Sequence, residues 1–233
     1  MNPLPPGNGV PPAVLAQDVE ALQVAELYRN LSLGAGAALV GTILCIFVLG
    51  ENGLGPELVL WLGYGIVVAA LRLGLGWAYH AGAMGLDSRD WGRLAVLGNL
   101  LAGIQWGLLG TWIFPGEPGP NQNFAIMVIT CYVGGSITAY APVRWAHPAL
   151  SIPATVPATI NIFFVESGPH PVAGLMAFFF VGMVLFYAFR ETEAVAERLR
   201  ADTRIRRKLV DLEREARRLA TFPPPAGTPA RRH

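Results

Sequence analysis

The sequence predicts an all-α, polytopic membrane protein with six transmembrane helices, the last continuing into a charged cytoplasmic helix of coiled-coil type. Three observations lead there. Hydrophobic residues make up 53% of the 233 and charged ones only 14%, against about 25% charged in a typical soluble domain; the mean hydropathy is +0.43. The apolar residues fall into six long runs separated by short, turn-rich loops. The basic residues segregate to alternate loops, as the positive-inside rule describes. The net charge of +1 carries no information beside that placement.

Residues 1–12, rich in Pro, Gly and Asn, have no apolar periodicity and read as disordered. They lack the basic and apolar regions of a signal peptide, so the first span is expected to insert uncleaved. Over 13–30 an amphipathic pattern sets Val14, Leu15, Val19, Leu22, Ala25 and Leu27 against Asp18, Glu20 and Glu26, which predicts an interfacial helix.

The six-helix bundle is expected over 31–189, with spans at 31–50, 56–79, 91–114, 123–141, 148–165 and 171–189. Loops one, three and five carry Glu51, Glu57, Glu117 and Glu166 and no Lys or Arg, whereas Arg29, Arg89, Arg93 and Arg144 lie on the other side. Both termini are therefore expected on the cytoplasmic side of the membrane. Tyr28, Trp61, Tyr79, Trp91, Trp112 and Trp145 stand near span ends and read as interfacial anchors. Pro148, Pro153 and Pro157 fall on span five, which is expected to kink or unwind.

Residues 190–220 turn charged with no Gly or Pro, so nothing ends the helix begun at 171. Within them Ile205, Leu209, Leu212, Ala216 and Leu219 repeat every four and three residues, an a/d seam about two heptads long for a dimer or a partner helix. A solvated amphipathic tail is the plainer reading. Residues 221–233 are Pro-rich and expected to be disordered.

Polar residues inside the spans are the candidate ligand-binding or polar-core set: Arg72, Asn99, Gln105, Thr138, Tyr140 and Asn161. Two readings of Arg72 stand. Its long side chain snorkels to the cytoplasmic interface, or it faces the bundle and pairs with carbonyls or an acidic headgroup. For the amides and hydroxyls, interhelical glue is the plain alternative. Gly103 and Gly107 form a GxxxG pair, and Gly134-Gly135-Ser136 gives span four a smooth patch. Cys45 and Cys131 read as small core residues. His80, His147 and His170 are isolated and read as exposed loop residues, with no haem, zinc or copper spacing. No phosphate loop, nucleophile elbow or HExxH is present, so no catalytic residue, metal or cofactor is assigned and the chain reads as no enzyme.

The runs LYRNLSLG (27–34), ALRLGLGWAYH (70–80), WGRLAVLGNLLAGIQWGLLGTWIFP (91–115) and YVGGSITAYAP (132–142) resemble the N-terminal membrane sensor region of bacterial hybrid histidine kinases and diguanylate cyclases. The resemblance implies a sensory six-helix domain with cytoplasmic ends, working as a dimer. Where that family continues into an output domain, this chain runs into TFPPPAGTPARRH. No catalytic residue carries over.

The leading expectation is a non-enzymatic membrane sensor or adaptor that passes a bundle change to a partner through 190–220. An accessory subunit of a respiratory or photosynthetic complex is the alternative, and a small transporter the third. Transport ranks last because span two lacks the interior proline that would match span five. Partners are membrane lipids and a second copy, a signalling protein or a larger complex; interleaved acids such as Glu197 and Asp211 argue against nucleic acid.

Overall fold

The computed structural model describes residues 12–51, 55–113, 120–164 and 171–220, and all regular structure among them is α-helical. In order these are α1 (Pro12–Leu49), α2 (Pro56–His80), α3 (Ser88–Leu109), α4 (Pro120–Gly135), α5 (Ile137–Tyr140), α6 (Ala146–Phe164) and α7 (Pro171–Ala220). The expected disordered ends, 1–11 and 221–233, lie outside the described residues, as does His170.

Among the described residues, three helices are long and apolar enough to cross a membrane: α1 over Ala16–Leu49, α2, and α7 from Val172. That is the mark of a membrane protein, but it is half the expected number of spans. The 16 residues of α4 fall short of the roughly 17–25 that a spanning helix needs, and α6, though 19 residues long, carries His147, Ser151, Thr155, Thr159 and Asn161 along its length. α3 has the length, at 22 residues, but carries Asn99 and Gln105 in its middle turns. The physical reason is packing: α3 lies among α1, α2 and α6, so its polar groups meet protein.

The tightest pairing is α3 against α6. A Cβ at Gly103 would run into the backbone of Leu150, one at Gly107 into the carbonyl of Pro153, and one at Gly110 into Ala158. The GxxxG pair therefore does set helix contact, and small residues let two backbones approach closely. Gly134 and Gly135 do not, since a Cβ at either meets nothing within 4 Å. Trp61, Trp106, Leu109 and Val133 fill one core region and Tyr28, Leu31, Trp91 and Leu150 another.

Several local expectations are corrected. Residues 13–30 form no separate interfacial helix, because α1 runs unbroken from Pro12. Asp18 pairs with Arg207 of α7 and Glu20 with Arg89 at the start of α3, holding this part of α1 along the bundle. Span five does not unwind; α6 passes through Pro153 and Pro157. Span four is interrupted instead, at Ser136 between α4 and α5. α7 is one helix of 50 residues, as the absence of Gly and Pro after Arg190 predicts. At about 1.5 Å per residue it is about 75 Å long, more than twice a hydrocarbon core of roughly 30 Å.

Candidate functional site

Arg72 is a charged residue on an apolar helix, and the structure rejects snorkelling: it is 1% exposed, on the face of α2 that meets α3. Gly98 of α3 lies against its stem, where a Cβ would come within 3.3 Å of Arg72 Cγ. Arg72 Nη2 donates to Asn99 Oδ1 at 3.0 Å and to the hydroxyl of Tyr140. Its Nη1 donates to the Tyr132 hydroxyl at 3.4 Å. The guanidinium carbon sits 5.3 Å from the centre of the Tyr140 ring, within cation–π range. Asn99 Nδ2 donates onward to the carbonyl of Ala146 at 3.0 Å. One side chain thus ties α2 to α3, α4 and α5, and Asn99 adds the start of α6.

Arginine stays protonated, yet the ion pairs among the described residues leave Arg72 without a carboxylate. An arginine at the centre of a membrane helix costs about 2.5–3.5 kcal/mol on insertion scales. Here the dipoles of Asn99, Tyr132 and Tyr140 provide the compensation, and Arg72 Nε has no partner among the described residues.

A second polar tie crosses α1, α2 and α3. Gln105 Nε2 donates to Thr42 Oγ1 at 3.0 Å, and Trp61 Nε1 donates to the Gln105 carbonyl at 2.6 Å. Gly65 of α2 makes room, since a Cβ there would overlap the Gln105 amide. Thr42 in turn donates to Ala38 O at 2.8 Å.

Of the candidate residues, Arg72, Asn99 and Tyr140 converge and Gln105 lies in the neighbouring tie. Thr138 is corrected: it is exposed and has no part in either. Asn161 reaches the Gly110 carbonyl at 3.4 Å, but stands 15 residues along α6 from Ala146, about 22 Å away. Sequence reasoning missed Tyr132, Thr42 and Trp61. Tyr132 lies two turns before Tyr140 in the same run, a spacing that would have flagged it.

The expected anchors divide. Trp112 and Trp145 are exposed, but Tyr28, Trp61 and Trp91 are buried, with the Tyr28 hydroxyl donating to the Trp91 carbonyl at 3.0 Å. His147 is buried too, its Nε2 3.0 Å from the Val133 carbonyl, whereas His80 is exposed. Cys45 is a core residue and Cys131 is not, being exposed.

The seam residues Ile205, Leu209 and Leu212 are 57%, 55% and 62% exposed, and Ala216 is exposed as well. Leu219 belongs to α7, but its side chain lies outside those described. α7 is also the least embedded of the three apolar helices, with 17% of its most apolar window buried against 28% and 33% in α1 and α2. Its cross-helix contacts include Phe189 against Trp145 and Arg144 in its first half and the Arg207–Asp18 pair in its second.

Comparison with known proteins finds no matching family, no similar characterised protein and no similar solved structure.

Proposed function

We propose that this protein is a non-enzymatic sensor or adaptor of the bacterial inner membrane, with six spans and both termini in the cytoplasm. In this reading α3, the α4–α5 pair and α6 cross beside the three apolar helices, their shortness and polarity being covered by neighbours. The Arg72 and Gln105 ties make α1 to α6 a fixed frame, against which α7 moves as a rigid helix and carries the change to a partner or a second copy.

The observation that carries this reading is the continuity of α7. The same 50-residue helix leans on the frame at its apolar end and exposes Ile205, Leu209 and Leu212 at the other. A helix has no soft joint in which to lose a tilt or rotation, and an exposed a/d stripe is a surface that pairs. The sequence resemblance to sensor regions agrees with it.

The test is affinity purification of the full-length chain from its own membranes in nanodiscs, with and without Leu209→Asp and Leu212→Asp. Recovery of a signalling protein or a second copy that both substitutions abolish supports the reading; undiminished recovery overturns it. A second reading, an accessory subunit of a larger membrane complex, is favoured by the exposed Phe178, Phe179 and Phe186 on α7. It requires co-purification at fixed stoichiometry that survives the seam substitutions.

A further inference from the structure

At the end of the bundle where α3 and α6 begin, a cavity of about 560 Å³ opens between α1, the first turns of α3 and the turn before α6. Arg89 and Arg93, four residues apart on α3, line it together with Arg144 of the turn, and all three are exposed. Among the described residues Glu20 of α1 is the one carboxylate in the lining. Glu20 lies 3.8 Å from Arg89 Nε, and Asp90, outside the lining, holds Arg93 Nη1 at 2.9 Å. Arg144 pairs with no carboxylate among the described residues, its guanidinium carbon standing 5.9 Å from the centre of the Phe189 ring. The cavity therefore keeps an excess of positive charge.

An apolar groove of about 360 Å³ continues from it, and Val96 and Trp145 line both. Its walls are Leu100 of α3 and Ala149 and Ile152 of α6, with Leu100 and Ile152 exposed. From Trp145 to Ile152 it follows α6 for about 10 Å toward the middle of the bundle. Trp145, 58% exposed, stands where charged cavity and apolar groove meet, the level at which an interfacial tryptophan sits.

We propose that cavity and groove together bind one anionic phospholipid, its phosphate on Arg89, Arg93 and Arg144 and an acyl chain along Leu100, Ala149 and Ile152. The guanidinium fork matches phosphate oxygens, and three forks on two segments exceed what the two oxygens of a single carboxylate satisfy. Basic pockets between membrane helices take anionic headgroups. A soluble phosphate would leave the adjoining apolar groove unused, whereas a lipid fills both parts. The site rests on α3 and α6 lying within the membrane and not on the sensor reading, so its failure leaves partner capture through the seam untouched.

The test is native mass spectrometry of the full-length protein in a neutral detergent, titrated with phosphatidylglycerol or with phosphatidylcholine of the same chains. One phosphatidylglycerol is expected to bind about tenfold more tightly than phosphatidylcholine. Arg144→Gln should weaken it about fivefold, and Arg89→Gln/Arg93→Gln/Arg144→Gln should bring it down to the phosphatidylcholine level. Arg200→Gln/Arg204→Gln/Lys208→Gln removes the same charge from the exposed part of α7 and should change nothing. Ala149→Phe, which narrows the groove, should weaken the lipid, and glycerol phosphate should fail to displace it. The preference of the unaltered chain and the effect of Arg144→Gln decide the matter if a multiple variant fails to fold. Equal affinity for the two lipids, or equal loss from the two triple variants, reduces the site to general charge attraction and overturns the proposal. Displacement by glycerol phosphate, with Ala149→Phe without effect, overturns it in favour of a soluble phosphate.

Discussion

Arg72 and Asn99, 27 residues apart on α2 and α3, share a buried hydrogen bond of 3.0 Å, and Asn99 extends it to the carbonyl of Ala146. The charge of Arg72 is held by neutral dipoles alone among the described residues, so each of them matters more than a hydrogen bond between uncharged groups would.

Removing Asn99 Oδ1 while leaving the guanidinium buried should be severe. Asn99→Leu is expected to lower stability by about 2 kcal/mol. The double variant Arg72→Met/Asn99→Leu should cost less than the sum of the two single changes, by about 1 kcal/mol, because no orphaned charge remains. Unfolding titrations in mixed micelles measure all three variants, and strict additivity would contradict the shared bond.

The glycines separate into two kinds. Gly107→Ala places a methyl group against the Pro153 carbonyl and should destabilise by about 1–3 kcal/mol, the usual cost of overpacking. Gly134→Ala and Gly135→Ala meet open space and should leave the thermal midpoint in detergent nearly unchanged. Equal effects at Gly107 and Gly135 would mean that α3 and α6 are not in backbone contact.

The seam should be separable from the bundle. Leu209 and Leu212 are more than half exposed, so Leu209→Asp and Leu212→Asp should shift stability by no more than about 0.5 kcal/mol while removing self-association or partner capture. Thermal melts and analytical ultracentrifugation of the same samples check both halves of this expectation.

The Asp18–Arg207 ion pair joins α1 to the far part of α7, with side chains 47% and 29% exposed. Pairs this accessible contribute less than about 1 kcal/mol and are screened by salt. Asp18→Asn should therefore cost little at low ionic strength and nothing near 1 M salt. A loss that persists in high salt would show that Asp18 does more than pair with Arg207.

What the sequence determined by itself is whatever depends on neighbours along the chain. Apolar runs, the turns between them, the start of α2 at Pro56 and the uninterrupted run of α7 to Ala220 follow from length, composition and the placement of Gly and Pro. Tertiary structure alone decided which way each residue faces. In water a helix shows its buried face by periodicity, but in lipid both faces are apolar, so a membrane span does not announce its inward side. Arg72 turned inward, Thr138 outward, Trp61 and His147 into the core and Cys131 out of it. Those outcomes depend on Gly65, Gly98 and the other small residues that make room on the neighbouring helix, a fit that exists only once the helices are packed.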